Sequence, residues 1–288
     1  GYEDGTFRPE QGVTRAELVR ILANYCDISG GSLQFPDVPE GYWAAEAIAY
    51  AADQGWIGGY EDGTFRPAQA VTRAEAVRIL NGAHTAFVPG SWVAGFDIVR
   101  DCMHDETVRG FMNTMLYDEV IPTLAADLDV EDCKAFAAAV ENRFDNPFID
   151  HALLSICLNS TAKWRARDLP TLKDYVAETG NLPKCLATSL ATLIAFYTQE
   201  LVAREGDGLH LRRADGTEYT AQDDAFVLDF YAAHAGADDA ELVHDVLSNE
   251  QMWGEDLTQI AGLEEFVVNA LAVVRVEGAK QAFANAQA

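Results

Sequence analysis

The sequence predicts a mainly α-helical chain in two parts: a small segment of helical repeats, then a larger all-helical region with one short hairpin. Three observations predict it. A 22-residue string recurs at an offset of 58 residues, apolar residues from about 91 onward fall at helical spacing, and the charge pattern changes near residue 90. Residues 1–90 hold twelve acidic and six basic residues, every base an arginine, and the first lysine is Lys134. Such a shift suggests two segments of different origin.

The repeated string is Gly1–Leu22 and Gly59–Leu80, which differ only at 10/68, 12/70 and 18/76. Each copy has readable local physics. Glu61-Asp62-Gly63 reads as a turn with Gly63 free to take positive φ. Thr72-Arg73-Ala74-Glu75 has the form of a capping box, in which hydroxyl and carboxylate satisfy free amides at a helix start. Ala74, Val77 and Leu80 continue that helix as an apolar stripe. Upstream, Trp43, Ala44, Ala47, Ile48 and Ala51 mark another helix, with Gly55 placed to end it. The unit is helix, turn, helix.

From 91 on, candidate helices run near 92–120, 130–143, 149–164, 170–179, 183–204, 222–235, 238–249 and 262–284. The exception is Leu209–Tyr219, where Asp215-Gly216 between short alternating stretches predicts the hairpin.

With 46 acidic against 20 basic residues the net charge is −26, which excludes nonspecific nucleic-acid binding. No apolar run approaches the roughly 20 residues of a membrane-spanning helix. The start at Gly1, with no basic or apolar leader, reads as clipped and says nothing of export. Cys26, Cys102, Cys133, Cys157 and Cys185 lack metal-ligand or disulfide-scaffold spacing and read as buried small hydrophobes. His104, His151, His210, His234 and His244 show no ligand spacing either and are expected in surface or core roles.

The first segment resembles the S-layer homology domain. The residues that carry this are Phe35-Pro36-Asp37-Val38, Trp43 with Ala47-Ile48, the Gly55 to Tyr60 stretch, and the Thr-Arg-Ala-Glu signature. The resemblance implies noncovalent attachment to a secondary polysaccharide of the bacterial cell wall, with Arg15 and Arg73 holding an acidic sugar and Asp37 and Trp43 in the same site. The plain alternative is a helix cap whose arginine is solvated. About one and a half repeats are present where the family usually assembles three.

The second segment carries Val77–Thr85 (VRILNGAHT), Asn142–His151 (NRFDNPFIDH) and Lys163–Pro170 (KWRARDLP). These resemble the C-terminal domain of the mannitol dehydrogenase family over roughly 77–288, and within it the tagaturonate reductase (altronate oxidoreductase) branch. The resemblance implies NAD-dependent interconversion of a sugar acid and its keto form. It implies that Asn81 and His84 contact the reacting oxygen or substrate, with a lysine base five residues before the asparagine. That position is Ala76, which cannot accept a proton. Arg143 and Lys163 match cationic positions expected to face an anionic substrate such as altronate or tagaturonate; a helix-end salt bridge and a surface charge are their alternatives. No glycine-rich dinucleotide fingerprint follows a strand, so the chain is expected to be inactive alone, with no metal. The boundaries read as 1–80 and 77–288. Val77–Leu80 belongs to both patterns and reads as a seam where two reading frames were joined, either by recombination or by faulty joining of sequence data. The compartments implied differ, cytoplasm for the dehydrogenase half and cell wall for the repeats.

Overall fold

The computed structural model describes residues 13–23, 32, 35–53, 63–68, 70–71, 75–126 and 128–288. At the N-terminal end, β1 (Val13–Thr14) feeds α1 (Arg15–Ala23); α2 spans Ala45–Asp53 and β2 is Ala70–Val71. The capping box forms in the first copy of the repeat. The Glu17 amide donates to Thr14 Oγ1 at 3.2 Å and the Thr14 amide to Glu17 Oε2 at 2.8 Å. The second copy, Thr72 to Ala74 with Arg73, lies outside the described residues, as do Gly55 and Cys26.

β1 and β2 pair antiparallel with Val13 opposite Val71, positions that coincide under the 58-residue offset. Equivalent residues facing each other is the mark of a two-fold relation, so the two copies meet through like surfaces. Beneath them Ala16, Val19, Val38, Ala44, Ala47, Ile48, Ala51 and Phe65 make a small core. Its many alanines let α1 and α2 approach closely. Gly63 has a φ of 78°, as its turn requires.

A second and larger core begins at Ile79. A π-helical turn, Glu75–Asn81, runs into α3 (Gly82–Val93). There follow α4 (Val99–His104), α5 (Glu106–Thr114), a second π-helical turn at Met115–Val120, α6 (Ile121–Leu124) and α7 (Val130–Phe144). Next come α8 (Leu153–Ile156), α9 (Ser160–Arg167), α10 (Leu169–Thr179) and α11 (Lys184–Tyr197). β3 (Glu200–Glu205), β4 (Gly208–Arg212) and β5 (Glu218–Ala221) form an antiparallel sheet in that order. The chain ends with α12 (Ala225–Ala233), α13 (Asp239–Leu247), α14 (Glu250–Trp253), α15 (Leu263–Glu277) and α16 (Ala279–Ala286).

α11 is the axis of this region. It is buried from Cys185 to Tyr197, as a helix apolar all round must be, and α3 and α15 pack against it. Its free N-terminal amides are met by Glu119, whose carboxylate accepts from Cys185 at 2.7 Å and Leu186 at 2.9 Å. Cys102, Cys133, Cys157 and Cys185 are buried thiols.

Four expected helices are shorter than the periodicity suggested. The 92–120 stretch breaks at Gly95, where φ is 100°, and again at Asp105, whose carboxylate caps the amides of Thr107 and Val108, both at 3.1 Å. The 149–164 stretch is interrupted by Asn159 in the left-handed region at φ 53°. The 183–204 helix ends at Tyr197 and its remainder becomes β3, which extends the hairpin to three strands. The 262–284 helix is split by Gly278 at φ 93°, a conformation that a side chain would strain. Asp105 also accepts from Lys280 at 2.6 Å, tying α5 to α16. Asp105→Ala is expected to cost about 1 kcal/mol, read as a lower urea midpoint with an unchanged slope.

Candidate functional site

Asn81 ends the π-helical turn and His84 stands in the first turn of α3. A π-helix closes hydrogen bonds between residues five apart, so positions 76 and 81 lie one above the other along it. An α-helix would have separated them by about 140°. The five-residue spacing is therefore the repeat of the π-turn itself, not two points on a broad α face. Gly82 follows because nothing larger fits: a Cβ there would lie 2.9 Å from Asp168 Oδ1.

Three elements bring groups to His84. The end of α7 delivers Phe144, whose ring stacks on the imidazole with centroids 4.0 Å apart, and with it Arg143. The loop after α7 returns His151 edge-on to His84 at 5.8 Å. That loop is held by Asn146 Oδ1 accepting the Phe148 amide at 2.9 Å and by the Val99 amide donating to the His151 carbonyl at 3.0 Å. From α9 come Lys163 and Arg167, one turn apart on one face. Lys163 Nζ donates to the Ile156 carbonyl at 2.9 Å. Arg167 Nη1 donates to Thr85 Oγ1 at 3.0 Å and to the Asn81 carbonyl at 3.4 Å.

The charge balance here is unlike the rest of the chain. From residue 91 on, most lysines and arginines meet a carboxylate, as in Arg100 with Asp150, Arg212 with Glu200 and Glu218, and Lys280 with Asp105. Arg143, Lys163 and Arg167 form no ion pair among the described residues, and Arg143 makes no hydrogen bond among them either. Asp168, the nearest acid in sequence, is 2 % exposed and its Oδ2 has no partner. Burial holds its carboxyl well above the usual range, against the pull of Arg167, and it forms no ion pair with these cations among the described residues.

His84 feels the same field. Burial first, then His151, Arg143, Arg167 and Lys163, lower its pKa to about 3. The imidazole is neutral at physiological pH, and its Nε2 is enclosed without a hydrogen-bond partner. Burial and Arg143 likewise depress His151, and burial and Arg167 depress Lys163. Folding stability inherits this. An imidazole at about 3 folded and 6.5 unfolded contributes stability that is full above 6.5 and is lost as pH falls toward 3. Glu119 acts in the opposite sense. Burial outweighs its two amide donors and raises it from 4.5 to about 7, so its contribution is full below 4.5 and lost as pH rises through 7. The urea midpoint of His84→Gln should fall less steeply than wild type from pH 6.5 down to about 4; an equal slope would refute the imidazole's part in acid unfolding.

The remaining predicted positions lie in the repeat segment. Asp37 accepts the amides of Phe65 and Arg66 at 2.8 and 2.6 Å. Arg15 Nε donates to the Phe65 carbonyl at 2.9 Å, with its guanidinium 4.7 Å above the Phe65 ring. Asp37 and Arg15 thus converge on one strand of chain. Trp43 is 56 % exposed beside Tyr42. Arg73 lies outside the described residues.

Sequence reasoning brought forward Asn81, His84, Arg143 and Lys163, which the fold gathers. It missed Arg167, Thr85, Asp168 and His151 as neighbours of the site. Arg167 had a readable signal, since it stands four residues after Lys163 on a helix; the others had none.

Residues 73–275 match the mannitol dehydrogenase C-terminal domain, and residues 1–19 and 34–77 match the S-layer homology domain. The chain belongs to the mannitol dehydrogenase C-terminal domain family. Altronate oxidoreductases are among its relatives: one from Escherichia coli O17:K52:H18 is 41% identical over 212 residues, and one from Klebsiella pneumoniae strain 342 is 43% identical over the same length. Each match takes in 72% of this chain and 41% of the relative, so the chain spans well under half of those proteins. The fold is that of a Pseudomonas fluorescens mannitol 2-dehydrogenase solved with NAD and D-mannitol, at a TM-score of 0.61 and 19% identity over 74% of this chain and 40% of that one. A D-sorbitol dehydrogenase is similar at 0.58. A nicotinamide dinucleotide needs a glycine-rich turn between a parallel strand and a helix. The described sheets are antiparallel, with two and three strands, so none of the described residues forms that strand–turn–helix. Among the described residues no cluster of three or more His, Cys, Asp or Glu could hold a metal, and no helix is long and apolar enough to cross a membrane.

Proposed function

We propose that the family domain of this chain is the substrate-binding half of an oxidoreductase acting on a sugar acid, of the altronate and tagaturonate type, and that it binds this ligand without turning it over alone. The observation that carries the reading is the group of uncompensated cations around the unpartnered Nε2 of His84. In a chain of net charge −26, three cations with no ion-pair partner among the described residues are costly to gather unless an anion completes them. A carboxylate on Arg143 and Lys163 would do so, since guanidinium and ammonium groups hold carboxylates by charge-assisted bonds. The sugar hydroxyls would then meet the Asn81 amide and His84 Nε2, both neutral. NAD supplies the hydride acceptor in such chemistry, and the residues that hold it belong to the portion of the relatives that this chain does not span. Turnover also requires a base for the hydroxyl proton, and Ala76 provides none.

Calorimetric titration tests this. Altronate should bind the purified chain while mannitol, of similar size but uncharged, binds at least tenfold more weakly; NADH with tagaturonate should show no oxidation. Equal affinity for the two, or no binding of altronate, would sink the sugar-acid reading. The division at 77–80 follows from the same reading, with the repeats as a separate module. For that module we propose polysaccharide binding on the match to the S-layer homology domain, with exposed Trp43 as a plate for a sugar ring and Asp37, Arg15 and Arg73 as its other binding residues. Cosedimentation with purified wall polymer that survives Trp43→Ala and Arg73→Ala unchanged would remove this reading.

A further inference from the structure

We propose that Arg167 is a positioning residue for the Asn81–His84 turn and that its free edge completes the anion seat formed with Arg143 and Lys163. The anion part rests on the sugar-acid reading above; the positioning part does not.

The argument starts at the change of helical register. The chain passes from π to α at Asn81 and Gly82, and the Asn81 carbonyl at that point receives two side-chain donors. Thr85 Oγ1 donates to it at 2.8 Å, and Arg167 Nη1 reaches it at 3.4 Å while donating to the Thr85 hydroxyl at 3.0 Å. One planar guanidinium thus spans the turn from its last π residue to the residue after His84. Rotation of that turn would move the Asn81 amide and the His84 ring together. The next residue, Asp168, closes the turn from below, its Oδ1 against the Cα of Gly82.

Only Nη1 of Arg167 is used in this way. Its Nε and Nη2 make no hydrogen bond or ion pair among the described residues, although arginine carries five N–H donors in a fixed fork. Arg167 also lies close enough to His84 and Lys163 to depress both. Asp168, the next residue, forms no ion pair or side-chain hydrogen bond with the guanidinium among the described residues, and burial raises its carboxyl above the usual range. The same arginine holds the turn through Nη1 and leaves its other donors without a partner among the described residues, close to His84 and Lys163.

The test uses the full chain with Arg167→Lys, Arg167→Gln and Thr85→Val. The first readout is the imidazole nitrogen NMR signal of His84 without ligand, followed against pH; the second is altronate titration. Lysine keeps the charge, but its shorter side chain ends in a rotatable ammonium with no fixed plane, which does not reproduce the position of Nη1 between the two acceptors. Arg167→Lys is therefore expected to shift the His84 signals and weaken altronate about tenfold or more, as glutamine does. Thr85→Val, which keeps every charge, should shift the same signals by less. His84 signals unchanged in Arg167→Lys would overturn the positioning role, and should that variant fail to fold, unchanged signals in Thr85→Val would do so. If altronate does not bind wild type, the anion role falls with the sugar-acid reading, while the ligand-free signals still decide the positioning role.

Discussion

Arg143→Ala is expected to weaken altronate binding on the order of 10²-fold while leaving mannitol affinity within about a factor of two. Arg143 is the cation at this site with no hydrogen bond or ion pair among the described residues, so its removal costs no internal contact. What it removes is the charge-assisted bond to the ligand and its share of a local field working against the chain's net charge of −26. At physiological salt that net charge is screened beyond about 8 Å, whereas cations touching the ligand are not. Affinity should therefore fall with added salt in wild type and fall less steeply in the variant. Arg165 supplies the control. It lies on α9 with Lys163 and Arg167 but turns away, its guanidinium seated over Gly254. Arg165→Ala changes the total charge equally and should leave affinity within about twofold. If both variants lose affinity alike, overall charge governs binding and the Arg143 assignment is wrong.

The sequence was most legible where a local rule decides the structure. Thr14 and Glu17 make the cap that their spacing announces, and the turn at Asp215-Gly216 makes the hairpin. Helix ends were less legible, because apolar periodicity continues across residues that stop a helix by other means. Asp105 sits inside a helical pattern yet halts the helix by capping the next one. β3 reads as helix because Leu201 and Ala203 continue the apolar run of α11, and only its pairing with β4 makes it a strand.

At the site the asymmetry has a different origin. Asn81, His84, Arg143 and Lys163 were found by motif, residue by residue, but their common direction was not. It depends on a π-turn, which no local propensity announces, and on α7 and α9 both packing against that turn. The charge excess around His84 was equally hidden. In the sequence Asp168 follows Arg167 and looks like its counter-ion; in the fold its carboxyl is buried against Gly82 and pairs with no cation among the described residues.

The π-turn also sets the expected result for Ala76→Lys. Mixed with the portion of the Escherichia coli relative that lies outside the match, the lysine variant is expected to oxidise altronate with NAD about 10²- to 10⁴-fold faster than the Ala76 chain. The physical reason is positional. Position 76 stands one π-repeat before Asn81 along the turn, and the expected result is that of a lysine entering the site of Arg143, Arg167 and Lys163. Both burial and like charge lower an ammonium's pKa, as burial and Arg167 already do at Lys163. A lysine so placed is deprotonated for an appreciable part of the time near neutral pH and can take the hydroxyl proton of the sugar acid. The rate should rise with pH to a plateau in the variant and show no such limb in the Ala76 chain. Equal rates with alanine and lysine would place the base elsewhere. Silence from both, with altronate binding intact by calorimetry, would mean that the two portions do not reassociate and that this half does not act as a separable partner.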